Sequence, residues 1–164
     1  MIRVLVLADS HVNGDPYTKL APVVWDVARS ADAIVHAGDV TNDATLDALA
    51  TCAPLYAVLG NNDTTLGRRL PESLEVDLDG VRIAVVHETG ATKGRAARVH
   101  RRFPTAHLVV YGHSHRPDDS EGVDGQRLFN PGSPTQRRLA PHRTFGIIEL
   151  QSGAIADHQI LVID

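Results

Sequence analysis

The stretch IRVLVLADSH, residues 2–11, decides the fold of this chain. Residues 2–8 form a short, nearly continuous apolar run that stops at Asp9, a pattern typical of a strand buried on both faces of a sheet. A loop marked by Pro16 follows, and apolar residues then recur at helical spacing over residues 20–27. The chain is therefore predicted to open as strand, loop and helix.

The same pattern repeats further along the chain. A second short apolar run covers residues 33–37, and a helical stripe follows over residues 46–53 behind a capping Asn42 or Asp43. Residues 54–59 are predicted to form a third strand. Each of the three strands is followed by a cluster of polar residues.

After Gly67 the pattern changes to hairpins, because the turn dipeptides Asp79-Gly80 and Asp124-Gly125 separate short apolar runs. The remaining predicted elements are strands over residues 73–77 and 81–86, a helix over residues 92–103, and strands over residues 107–111, 127–130, 144–150 and 155–162. We therefore predict an α/β fold of mixed sheets flanked by helices, with residues 1–164 forming a single domain.

The composition is that of a globular protein. Of 164 residues, 43% are hydrophobic and 22% are charged, and no apolar run approaches the ~18 residues needed to cross a bilayer. The single Cys52 cannot form a disulfide within the chain, and the first apolar run is too short for a signal peptide. We expect a cytoplasmic protein that does not enter membranes. The formal net charge of -4 argues against nucleic acid as a partner.

Polar side chains with metal-binding chemistry follow five predicted strands. Ligands in α/β sheets gather at the carboxyl ends of strands, so these side chains are expected to meet in one crevice. The histidine imidazole is the commonest metal ligand among side chains, and the chain has nine histidines. The candidate site residues are Asp9, His11, Asp39, Asn61, Asp63, His87, His113 and His115.

Carboxylates, imidazoles and an amide oxygen, with no thiolate among them, suit Mn, Fe, Zn, Co or Ni rather than copper or an iron–sulfur cluster. There are more candidate ligands than one tetrahedral ion needs, which favours two divalent ions bridged by a carboxylate. Asp39 is the expected bridge. His36 lies inside the second strand and is expected to be a buried residue beside the site rather than a ligand.

Five short motifs in this order resemble the calcineurin-like metallophosphoesterase superfamily, specifically its compact bacterial and archaeal phosphodiesterase branch. The resemblance implies a four-layer αββα sandwich. It also implies that Asp9, His11, Asp39 and His115 hold a first metal ion, and that Asp39, Asn61, His87 and His113 hold a second. The motifs are Asp9-Ser10-His11, Gly38-Asp39, Gly60-Asn61-Asn62-Asp63, His87 and Gly112-His113-Ser114-His115.

Two positions depart from the superfamily pattern. Asn62 stands where much of the superfamily has a histidine that protonates the leaving group, so the proton must come from water or from a nearby group such as Asp63. His87 is followed by Glu88 instead of the usual glycine, and Glu88 is expected to substitute for it or assist it as a ligand.

The resemblance predicts a metal-dependent phosphodiesterase or phosphatase that acts on a small phosphate ester, with Mn as the expected metal. A hydroxide bridging two ions would attack phosphorus in line, and Asn61 would help to orient the site. Arg137 and Arg138 follow the late turn of residues 130–133, and are expected either to reach a substrate phosphate or to lie on the surface. The alternative function is a scaffold that keeps this fold and binds protein partners without catalysis.

Overall fold

The computed structural model describes all residues from Met1 to Asp164. It contains four α-helices, α1 (Pro16–Lys19), α2 (Pro22–Ser30), α3 (Asp43–Ala50) and α4 (Arg95–Arg102), and ten strands. The strands are β1 (Ile2–Leu7), β2 (Ala33–His36), β3 (Leu55–Ala57), β4 (Ser73–Leu78), β5 (Val81–Val86), β6 (Leu108–Val110), β7 (Asp118–Glu121), β8 (Arg127–Asn130), β9 (Thr144–Gln151) and β10 (Ala154–Val162).

The strands form two mixed five-stranded sheets. The first has the order β10-β9-β1-β2-β3, and the second has the order β4-β5-β6-β8-β7. Strands β1, β2 and β3 are parallel to one another, as are β5, β6 and β8, whereas β4, β7, β9 and β10 pair antiparallel with their neighbours. The carboxyl ends of the parallel strands therefore deliver their loops to the site from both sheets.

Successive side chains of β1 point to opposite faces of the first sheet, and this divides the core into layers. Val4 and Val6 point into the apolar cluster between the two sheets, while Leu5 and Leu7 pack with α2 and α3 on the outer face. On the other side of the molecule, Val99 of α4 packs against the second sheet. The order of layers is helices, sheet, sheet, helix, which confirms the predicted α/β class and the αββα sandwich.

Several element boundaries differ from the predictions. The predicted helix over residues 92–103 begins later, at Arg95, because Gly94 before it adopts a left-handed φ of 73°. The short helix α1 was not predicted; Asp15 caps it by accepting a hydrogen bond from the Tyr17 N–H. None of the helices has both the length and the apolar character that a membrane span requires.

Candidate metal centre

The loops after five strands meet at one end of the molecule, where the two sheets adjoin. Asp9 follows β1 and His113 follows β6, yet the His113 backbone N–H donates to Asp9 Oδ1 at 3.2 Å. Two residues 104 positions apart, on different sheets, are therefore in direct contact. Asp9, Asp39, His87 and His115 are buried, whereas Asn61 and His113 are exposed, so the cluster opens to solvent on one side.

One group of donors consists of Asp9, His11 and His115, whose ligand atoms all lie within 4.8 Å of one another. The Nε2 atoms of His11 and His115 are 3.2 Å apart, and His115 Nε2 is 3.7 Å from Asp9 Oδ1. Two imidazole nitrogens and a carboxylate oxygen at this spacing can converge on one cation.

A second group consists of Asp9, Asp39 and His87. His87 Nε2 lies 3.5 Å from Asp39 Oδ2 and 4.0 Å from Asp9 Oδ1. Asn61 Oδ1 extends this group toward solvent, at 2.9 Å from His87 Nε2 and 3.1 Å from His113 Nδ1.

Both carboxylates lie between the two groups. Asp9 belongs to each group, and Asp39 Oδ2 is 3.4 Å from His11 Nε2 as well as 3.5 Å from His87 Nε2. The expectation from sequence gave the bridging position to Asp39 alone. In the structure Asp9 is equally central.

Two of the imidazoles are oriented by backbone carbonyls. His115 Nδ1 donates to the Gln136 carbonyl oxygen at 2.6 Å, and His87 Nδ1 donates to the Ala37 carbonyl oxygen at 2.7 Å. Because a carbonyl only accepts, Nδ1 carries the proton in both rings and Nε2 keeps a free lone pair. Both Nε2 atoms face the cluster, which is the arrangement of a metal-binding histidine with a supporting acceptor.

The electrostatics of the cluster suit a cation. Burial, together with the charge of Asp39, raises the pKa of Asp9 to about 8, and Asp9 Oδ2 is buried without a hydrogen-bond partner. Burial lowers the pKa of His115 to about 4 and also lowers that of His11, so these rings are neutral and able to coordinate at pH 7. A divalent ion would relieve the repulsion between the two carboxylates and satisfy the free oxygen.

The backbone is strained at these loops. Positive φ values are uncommon for residues other than glycine and cost of order 1 kcal/mol each, so they persist only where the surrounding structure imposes them. Here they concentrate at candidate ligands: Asp9 (52°), His11 (41°), Asp39 (58°), His113 (73°) and His115 (57°).

Asp63 has a different role from the one expected. Its Oδ2 accepts from the backbone N–H groups of Asp39 at 2.8 Å and Gly60 at 2.7 Å, and its Oδ1 accepts from that of Thr41 at 2.7 Å. Both oxygens of this buried side chain are used as acceptors. The geometry therefore makes Asp63 a residue that fixes the Asp39 loop, and it does not support Asp63 as the proton donor.

Asn62 is also bound to Asp39. Its backbone N–H donates to Asp39 Oδ1 at 2.8 Å, and its side-chain amide donates to Asp39 Oδ2 at 2.7 Å. Burial raises the pKa of Asp39, but the two hydrogen bonds from Asn62, together with the charges of His87 and His11, outweigh this and hold the pKa below its ordinary value. Asn62 thus keeps the Asp39 carboxylate ionised and oriented.

His36 is not a candidate ligand, because both of its ring nitrogens are occupied. The Gly38 N–H donates to Nδ1 at 3.2 Å, so the proton is on Nε2 and donates to Ser10 Oγ at 2.9 Å. Complete burial lowers the pKa of His36 to about 3. Glu88 is peripheral, since its Oε1 lies 4.0 Å from His113 Nε2 on the exposed side.

The segment after residue 132 supports the centre, a role that was not predicted from the sequence. Ser133 Oγ donates to the Asp9 carbonyl oxygen at 2.7 Å, and Thr135 Oγ1 donates to the Ser10 carbonyl oxygen at 2.6 Å. The turn of residues 130–133 was a usable signal for Ser133. The acceptor for His115 is the backbone carbonyl of Gln136, so no side-chain pattern could have indicated it.

The two arginines of this segment are placed differently. Arg137 Nη1 donates to the Pro141 carbonyl oxygen at 3.2 Å, a local contact within the loop. Arg138 is exposed, and its positive charge adds to the lowering of the pKa of His11 that burial causes. Arg138 is therefore the one of the pair whose charge acts on the cluster.

The αββα fold carries a cluster of carboxylate and imidazole donors at the strand ends of its two sheets. This combination of fold and donors defines the class to which the protein belongs. The chain belongs to the calcineurin-like phosphoesterase superfamily, whose domain model matches residues 2–153.

Two curated archaeal relatives are similar over most of the chain. A probable metallophosphoesterase of Methanothermobacter thermautotrophicus is 32% identical over 136 residues, which is 82% of this chain and 78% of the relative. Another, from Methanocaldococcus jannaschii, is 32% identical over 139 residues, 81% of this chain and 68% of the relative.

Solved structures share the fold. The solution structure of a Thermotoga maritima protein is 25% identical, with a TM-score of 0.76 over 99% of this chain and 100% of that one. Vps29 of Chaetomium thermophilum has a TM-score of 0.79 at 18% identity, over 99% of this chain and 97% of that one. This second likeness concerns the fold alone.

Proposed function

We propose that the chain is a metal-dependent phosphoesterase that acts on phosphodiesters. The observation that carries this proposal is Asp9, a fully buried carboxylate that belongs to both groups of donors and has one oxygen without a protein partner. Burying such a group is unfavourable unless a cation compensates it. The superfamily membership and the archaeal relatives support the same class of reaction.

The chain offers ligands for two divalent ions. Asp9, His11, Asp39 and His115 would hold one, and Asp39, Asn61, His87 and His113 would hold the other, with Asp9 close to both. Oxygen and imidazole donors favour Mn²⁺, with Fe, Zn, Co and Ni as alternatives. When bound, such ions supply a hydroxide nucleophile at neutral pH and stabilise negative charge on the phosphate oxygens.

The residues of the chain position this chemistry. Backbone carbonyls fix the rings of His87 and His115, and Asn62 fixes the Asp39 carboxylate, so the donors need little reorganisation. The four positive charges of two divalent ions exceed the two negative charges of Asp9 and Asp39. The occupied centre would therefore attract phosphate even though the chain is acidic overall.

The activity can be tested directly with aryl esters. After treatment with a chelator the protein should not hydrolyse bis(p-nitrophenyl) phosphate, and added Mn²⁺ should restore hydrolysis because the hydroxide requires bound metal. The monoester p-nitrophenyl phosphate is the matched comparison and should react more slowly. Metal content and p-nitrophenol release are measured on the same samples. Full metal occupancy without turnover for Mn, Fe, Zn, Co and Ni would contradict the proposal and favour the protein-binding scaffold.

The amide side chain of Asn62 predicts that the hydrolysis rate depends strongly on the leaving group of the substrate. An amide cannot supply an acidic proton, and general acid catalysis typically contributes about 10²- to 10⁴-fold. Rates for aryl methyl phosphodiesters should fall steeply from nitrophenol to phenol as leaving groups. Asn62→His should weaken that dependence, since it places a proton donor at this position; it also removes the amide hydrogen bond to Asp39 Oδ2, so the rates are compared at equal metal content. Initial rates across the series measure the slope, and a flat series for the unmodified protein would contradict the role given to Asn62.

A further inference from the structure

A polar recess adjoins the candidate metal centre on the side of His11. Its volume is about 280 Å³, and its walls contain no hydrophobic residue. Complete ligand sites usually exceed about 300 Å³, so a recess of this size suits part of a ligand rather than a whole one. We name it the Lys19 recess; it is lined by His11, Asn13, Lys19, Thr135, Gln136 and Arg143.

The lining of the Lys19 recess is positively charged. Lys19 and Arg143 each carry a positive charge, and no acidic residue lines the recess. Lys19 forms no ion pair, whereas Arg143 uses Nε and Nη2 to bind Asp164 and keeps Nη1 free. Lys19 is therefore the one lining charge that no carboxylate neutralises, in a chain with a net charge of -4.

Hydrogen-bond donors in the recess are also free. The side-chain amides of Asn13 and Gln136 and the Lys19 ammonium make no hydrogen bond to the protein, and all three groups line the recess. Free donors are what an anionic oxygen group requires, and the Asp164 carboxylate competes only for Arg143.

The wall of the recess is tied to the metal centre. The Gln136 carbonyl oxygen accepts from His115, and Thr135 Oγ1 donates to the Ser10 carbonyl oxygen at 2.6 Å. His11 is itself part of the lining. A substrate group held in the recess would therefore have a fixed position relative to a phosphate at the centre.

The cavity beside Glu88 lacks these properties. Both Glu88 and Arg98 line this cavity. The Arg98 side chain already donates to three backbone carbonyl oxygens, those of Thr89, Ala91 and Lys93. That arginine has a structural role in the loop before α4. Arg102, the other cation of that cavity, lies over the ring of Phe103, and Glu88 adds a negative charge to the lining.

We propose that the Lys19 recess binds a second phosphate group of the substrate, so that the preferred substrates are phosphodiesters that carry an additional phosphate. The inference rests on the proposed phosphodiesterase function. The metal centre receives the phosphodiester to be cleaved, and Lys19, with Arg143 and the two amides, receives the additional phosphate. This phosphate contributes to binding and takes no part in the reaction.

The test compares two substrates that both release p-nitrophenol. Thymidine 5′-(p-nitrophenyl phosphate) and its 3′-phosphorylated form differ only in the additional phosphate. We expect the 3′-phosphate to lower KM about 10-fold with kcat unchanged, because charge-assisted hydrogen bonds bind ground state and transition state alike. Lys19→Met should remove this advantage. Lys93→Met is the matched control, since these are the two lysines of the chain and Lys93 does not line the recess.

A binding measurement separates the two proposals. Calorimetry on the Mn²⁺-loaded protein should give about 10-fold tighter binding of thymidine 3′,5′-bisphosphate than of thymidine 5′-phosphate, and Lys19→Met should abolish the difference. Tighter binding without hydrolysis would overturn the phosphodiesterase function and support the recess. Hydrolysis with no gain from the 3′-phosphate, or an equal loss in both lysine variants, would overturn the recess.

Discussion

The Asp9→Asn variant is expected to lose bound metal and to hydrolyse aryl phosphodiesters at least roughly 10³-fold more slowly. Asparagine has the same shape and tolerates the left-handed φ of 52° at this position, so the change removes charge and leaves the backbone in place. Metal analysis and kcat/KM for bis(p-nitrophenyl) phosphate measure the loss. Asp26→Asn is the control, because Asp26 is exposed and pairs only with Arg29.

In the absence of metal, Asp9→Asn should increase the stability of the folded protein. The pKa of Asp9 rises from 3.8 to about 8 on folding, so the folded state binds this proton more tightly. The metal-free protein therefore loses stability as the pH rises from 3.8 to about 8, by up to ~1.4 kcal/mol per pH unit from this group.

Asparagine does not titrate, so Asp9→Asn should gain stability relative to the unmodified protein between pH 5 and pH 8. Urea unfolding in the presence of a chelator at the two pH values gives the difference. A variant that keeps its metal and activity, or a stability difference that does not change with pH, would contradict the electrostatic role of Asp9.

Gly60→Ala is expected to disrupt both the fold and the centre. A Cβ atom at this position would lie 2.1 Å from Asp39 Oδ1 and 2.2 Å from the Asp39 backbone nitrogen. Neither atom can move freely, because Asp63 and Asn62 hold them. We expect a loss of about 3 kcal/mol or more, which corresponds to a fall in Tm of roughly 6 °C or more, together with loss of metal binding.

Gly67→Ala is the matched control for this steric argument. A Cβ atom at Gly67 meets nothing within 4 Å, and its backbone does not have a positive φ. Its Tm should stay close to that of the unmodified protein. Scanning calorimetry and metal analysis of both variants check the prediction. If Gly60→Ala bound metal normally at an unchanged Tm, the close approach of Gly60 to Asp39 would not matter.

The fold was largely predictable because its central strands are buried on both faces. The apolar run of residues 2–8 has this character, and β1 indeed packs between the inter-sheet core and α2 and α3. Boundaries were less predictable. The start of α4 depends on the left-handed conformation of Gly94, which the helical spacing of residues 92–103 does not show.

The ordered spacing of polar residues after strands predicted which side chains approach one another, but it did not predict how they are held. His115 and His87 are oriented by backbone carbonyls, which have no side-chain signature. The central position of Asp9 depends on left-handed loop conformations that bring both carboxylates between the imidazoles. Asp63 shows the same limit, since its sequence position suggested proton transfer and its contacts are with backbone N–H groups.

The 104-residue separation between His11 and His115 has a consequence for biosynthesis. A nascent chain that has not yet emerged from the ribosome as far as residue 115 has only part of the ligand set, and folding domains form as units during synthesis. The complete set of candidate ligands therefore forms only once the two sheets have joined. A metal ion held by this complete set would be selected by the geometry of the finished cleft and not by the thermodynamic preference of a flexible peptide.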